Sequence, residues 1–99
     1  MMPVTSELDA RMEIRAFIDR SHAPYPDWYV GVAADPDRRL REHGLQEADW
    51  YIVRRLASAE AARRVAEGLL KLECDGSAGG DDQTATSVYA YWKRGHTTP

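Results

Sequence analysis

Tyr29, Arg39 and His43 are the residues of this chain whose types and spacing best suit chemistry. A phenol and an imidazole can pass a proton between them, and a guanidinium can neutralise an anion such as a phosphate. Arg39 and His43 stand four residues apart. On a helix that spacing puts them one turn apart on one face. A neighbouring strand carrying Tyr29 could bring all three groups toward a single point.

The local sequence supplies both elements. In Trp28–Ala33 the residues Trp28, Val30 and Val32 alternate with Tyr29, Gly31 and Ala33, the period of a strand with two distinct faces. Trp28 and the two valines make the core face. Tyr29 shares the other face with Gly31, whose missing side chain leaves room beside the tyrosine ring. Asp35 followed by Pro36 is a helix start. The aspartate accepts from exposed amides as N-cap, and proline at the first helical position gives up no bond. Gly44 is a natural stop, so the helix spans 36–43.

This strand, turn and helix, with Tyr29-Val30-Gly31 followed by Arg39-Leu40 and His43, resembles the core motif of the GIY-YIG nuclease superfamily. The resemblance implies a small sheet flanked by helices. It also implies that Tyr29 and His43 assist attack of water on a phosphodiester while Arg39 neutralises phosphate charge. The family opens with a Gly-Ile-Tyr strand about ten residues before its Tyr-Ile-Gly. Here that region is helix and a proline-rich turn. The C-terminal run Ser87-Val88-Tyr89-Ala90-Tyr91 is similar to the missing strand, so a permuted version of the fold would stand Tyr89 beside Tyr29. The family's metal-binding glutamate follows an alanine by four residues on the third helix. Matching that alanine to Ala62 puts Ala66 at the glutamate position. Glu67, one residue on and about 100° around the helix, is the metal-ligand candidate only if the register shifts by one. The family's late asparagine has no counterpart, since the chain contains no asparagine.

The rest of the chain frames the motif. Residues 1–5 read as a loose start. Ser6 with Asp9 opens a helix to about Arg20, with Leu8, Met12, Ile14, Ala16, Phe17 and Ile18 as its apolar positions. His22–Asp27 is a proline-rich break. Residues 50–56 are rich in aromatic and β-branched types and form a second strand. Ser58 caps a helix to about Leu72, with Ala62, Val65, Leu69 and Leu72 on one stripe. Residues 74–86 are a flexible acidic connector, lacking the spacing of a phosphate or calcium loop. Residues 87–93 alternate as a third strand, with Val88, Ala90 and Trp92 facing the core. The expectation is one α+β domain over 1–99, a three-stranded sheet flanked by helices in the order α-β-α-β-α-β.

The chain has 99 residues, one cysteine and a formal net charge of −3. The lone Cys74 excludes an internal disulfide and fits a reducing compartment. No apolar run is long enough to span a membrane, and cytoplasmic location is the default. An acidic balance opposes tight non-specific DNA binding, although Arg38-Arg39, Arg54-Arg55, Arg63-Arg64 and Lys93-Arg94 are local basic pairs. Glu60 with Arg64 and Glu67 with Lys71 have helix ion-pair spacing. Three functions remain open. One is a degenerate, non-catalytic module that binds DNA, RNA or a protein. Another is an active endonuclease using Mg²⁺ or Mn²⁺ and cleaving phosphodiester bonds. The third is a small domain that merely shares the strand-turn-helix motif and binds a partner through its tyrosine- and tryptophan-rich surface.

Overall fold

The computed structural model describes residues 3–79 and 82–99. Its elements are α1 (Glu7–Ser21), a short 3-10 turn (Tyr25–Asp27), β1 (Trp28–Ala33), α2 (Pro36–Glu42), β2 (Tyr51–Arg55), α3 (Ala59–Leu70), β3 (Asp75–Gly76) and β4 (Ser87–Trp92). The chain is α+β, and its sheet has four strands in the order β2-β4-β1-β3. β4 runs antiparallel to both β1 and β2, while β3 runs parallel to β1.

The three long strands lie where period-two patterning puts them. The fourth corrects the three-strand expectation. Asp75 and Gly76 pair with Tyr29 and Val30 inside the acidic connector. Two residues are too few for any alternation to show. Gly76 is required there: its φ is 132° and an added Cβ would overlap the Val30 carbonyl oxygen. Gly80 and Asp81 of that connector lie outside the described residues. So do residues 1 and 2 of the expected loose start; residues 4 and 5 are anchored, with Val4 bridging Arg55 and Thr5 N donating to the Arg55 carbonyl at 2.7 Å.

All three helix starts carry their caps. Ser6, Asp35 and Ser58 side chains accept from the amides of Asp9, Arg38 and Ala61 at 3.1, 3.1 and 3.0 Å. Substituting such a cap costs about 1 kcal/mol.

The sheet has two unlike faces. α1 and α3 cover one, burying Ala10, Ile14, Ile18, Ala62, Val65, Ala66 and Leu69 against Trp28, Val30, Ile52, Val88 and Ala90. The α3 stripe is the one its 3.6-residue period marks out. On α1 the buried positions are Ala10, Ile14 and Ile18, while Leu8 and Met12 are exposed. That helix turns a narrower stripe inward than its apolar content suggests. α2 covers the other face, where Ala33, Leu40, Tyr89 and Tyr91 are buried.

Candidate functional site

The second face is a layer of rings. Strand register fixes its layout: Tyr29 pairs with Tyr91, which pairs with Tyr51, and Gly31 pairs with Tyr89, which pairs with Val53. Residues two apart on a strand share a face, so Tyr29, Gly31, Tyr89 and Tyr91 all point to α2. The room expected over Gly31 is taken by the Tyr89 ring. A Cβ at Gly31 would overlap the Tyr89 Cζ and hydroxyl.

His43, at the C-cap of α2, is buried and closes this layer. Its ring centroid lies 4.9 Å from Tyr29, 5.6 Å from Tyr89 and 5.0 Å from Tyr91. Its Nδ1 is 2.8 Å from the Thr98 carbonyl, which can only accept, so Nδ1 carries the proton. The Tyr91 oxygen, 3.2 Å away, is a second acceptor for it. With that tautomer of the neutral imidazole, Nε2 can accept from the Tyr89 hydroxyl at 2.8 Å. Thr98 N also donates to the His43 carbonyl at 2.7 Å, so the C-terminal tail holds His43 by both its ring and its backbone. Among the described residues no buried side-chain polar atom lacks a partner.

Burial pushes the Tyr89 phenol above its ordinary value of 10.0, and the neighbouring Arg39 guanidinium pulls it part of the way back. Burial raises Tyr91 as well, helped by the nearby phenols of Tyr29 and Tyr89. Both phenols therefore stay protonated at neutral pH. The pair can act as a hydrogen-bond donor and its imidazole acceptor. Passing the proton to His43 would leave a phenolate that Arg39 is placed to stabilise.

Arg39 sits at the rim and is half exposed. Its directed bond goes to Glu42 Oε1 at 3.0 Å, while Arg38 holds Glu42 Oε2 at 3.3 Å. The Tyr89 oxygen, and then Glu42, raise the Arg39 pKa above its ordinary value. A groove of about 420 Å³ opens here, lined by Asp35, Arg38, Arg39, Glu42 and Asp82 among others.

The structure thus brings Tyr29, Arg39, His43 and Tyr89 to one face of the sheet. It does not bring Glu67 there. Glu67 is exposed on α3, which packs on the opposite face, and Ala66 beside it is buried in the apolar core. A shifted register does not rescue the assignment, because the whole helix lies across the sheet. Its expected partner Lys71 meets it through the helix backbone, Lys71 N donating to Glu67 O at 3.1 Å. By contrast, Glu60 and Arg64 pair at 2.7 Å as their spacing implies.

The groove's own carboxylates do not fit a divalent metal. Asp35 caps α2, Glu42 is held by two arginines, and Asp82 accepts from Thr84 N and Oγ1 at 2.9 and 2.6 Å. Among the described residues no group of three His, Cys, Asp or Glu side chains is disposed to hold a metal ion. Cys74 is buried, and burial pushes its thiol up to about 11. No described helix is long and apolar enough to cross a membrane.

Two members of the site escaped the sequence reading. Tyr91 was available to it, since period two on β4 puts residues 89 and 91 on one face. The Thr98 carbonyl was not, because a backbone contact across 55 positions leaves no mark in residue types. No family model, curated protein or solved structure matches this chain.

Proposed function

We propose that this chain is a permuted GIY-YIG-like domain that binds the phosphodiester backbone of nucleic acid at the Arg38–Arg39 groove without cleaving it. The observation that carries the reading is the convergence of Tyr29, His43, Tyr89 and Arg39 on one face, while Glu67 stands on the other. The adjacency of β4 and β1 supports the permuted arrangement, with Tyr89 lying across Gly31 beside Tyr29. Two features speak for binding without hydrolysis. Tyr89 is 1% exposed, so a phosphate cannot touch its hydroxyl in this conformation. The groove's carboxylates are engaged by the protein's own groups rather than free for an ion.

Binding at this groove exchanges one anion for another: an entering phosphate competes with Glu42 for both guanidiniums. Duplex DNA and RNA binding, followed by fluorescence anisotropy across a salt series, tests the reading. The expected result is affinity that falls as salt rises, weakens in Arg39→Ala and strengthens in Glu42→Ala. Gel assays with Mg²⁺ or Mn²⁺ should show intact substrate. Cleavage by wild type that is lost in Arg39→Ala would restore the endonuclease. Failure of wild type to bind any duplex ends the nucleic-acid reading of this groove.

A further inference from the structure

A second patch lies away from the Arg39 groove, at the start of β2. Trp50 and Tyr51 are 43% and 46% exposed, the only large aromatic side chains so exposed among the described residues. Trp50 packs against two rings, its centroid 5.5 Å from Phe17 at a 43° tilt and 6.1 Å from Trp92 in an edge contact. The Arg20 guanidinium lies 5.3 Å over the Phe17 ring and that of Arg94 lies 5.0 Å over Trp92. Neither guanidinium has a carboxylate partner among the described residues. Phe17, Arg20, Asp49, Trp50 and Tyr51 line a shallow, open hollow of about 420 Å³.

From this arrangement we infer that the patch is a stacking site for single-stranded nucleic acid. The nucleic-acid strand crosses the β2 edge. Adjacent β-strand residues face opposite ways, so one base lies on Trp50 on the α1 side and the next on Tyr51 on the α2 side. Arg20 and Arg94 meet the flanking phosphates. Unpaired bases present π-faces that aromatic side chains bind whatever the sequence, and cations beside the rings follow the backbone. The Trp50 indole, already packed against Phe17 and Trp92, loses little freedom when a base stacks on it. The carboxylate in the hollow, Asp49, is already engaged by the Gln46 amide at 2.7 Å and His96 Nε2 at 2.6 Å, which tempers its repulsion of phosphate.

An added β-strand is a poorer occupant of this edge. The Val53 carbonyl accepts from the chain's own Arg54 Nη1 at 2.8 Å, and the Arg55 carbonyl from Thr5 N at 2.7 Å. Two of the outward carbonyls that a pairing strand would use, those of Val53 and Arg55, are therefore taken.

The test is titration of the full chain with a short oligo(dT) and a short oligo(U), reading indole fluorescence and anisotropy. Binding should quench the indoles. Trp50→Ala and Tyr51→Ala should each weaken it at least about fivefold, the loss expected for one stacked base. Arg20→Ala and Arg94→Ala should each reduce the slope of log affinity against log salt by about 0.7. Tyr51 is the check on folding, since its exposed ring can be removed with little loss of packing. Absence of quenching, or unchanged affinity in Tyr51→Ala, overturns the inference. So does concentration-dependent self-association that Tyr51→Ala abolishes, which would make the patch an interface between copies. The Arg39 reading fails separately: Arg39→Ala should leave oligo(dT) quenching intact, and Tyr51→Ala should leave duplex binding intact.

Discussion

The same three strands build two faces that hold themselves together by different means. On the α1–α3 face, Trp28, Val30, Val88 and Ala90 meet helices with no polar atom to satisfy except the Trp28 indole N–H, which reaches Ser21 Oγ at 3.2 Å. Burial of apolar surface is non-directional there, and Trp28 adds stacking on Trp92 and an edge contact with Phe17. On the α2 face, Tyr89, Tyr91 and His43 are as deeply buried, yet each carries a polar group that must find a partner. The Tyr89–His43–Thr98 chain of bonds meets that need, and it does so only in one geometry. A face assembled by area tolerates small shifts. A face assembled by directed bonds specifies a site, and loses it when one ring moves.

Three substitutions or conditions would break or sharpen this contrast. The largest effect belongs to the apolar face: Trp28→Ala should cost about 3–5 kcal/mol in urea unfolding, since it empties the centre of the core. A loss under 1 kcal/mol would mean that this face is not the main store of stability. Next comes Gly31→Ala, which forces Tyr89 off the sheet. It should cost about 1–3 kcal/mol by overpacking. It should also shift the His43 ring signals in NMR, and unchanged imidazole shifts would show that Tyr89 does not depend on the bare Gly31 surface.

The smallest effect is in alkali. The Tyr89 and Tyr91 phenols have raised pKa values in the folded chain, so the fold holds their protons more tightly than the unfolded chain does. Their contribution is complete below the ordinary value of about 10 and is lost as pH rises through the folded values. Thermal melts should therefore weaken above about pH 10, and Tyr89→Phe should flatten that decline. A wild-type melting temperature that stays level through this range would contradict the buried-phenol account.

Much of this was legible from residue order because it depends on local rules. Alternation at 28–33 and 87–92, the three side-chain caps and the α3 stripe each follow from backbone geometry that acts within a few residues. Arg39 and His43 on one helix, and Tyr29 on the strand before it, belong to the same category. What the tertiary structure decided is what those rules cannot reach. It seated β4 between β1 and β2, which turned the space over Gly31 into the bed of Tyr89. It laid α3 on the far face, carrying Glu67 away from the site although its helix was correctly read. It brought the Thr98 carbonyl to His43 and thereby chose which imidazole nitrogen holds the proton. Strand order and helix side depend on how the whole chain best covers two apolar surfaces at once, and no short stretch of residues contains that choice.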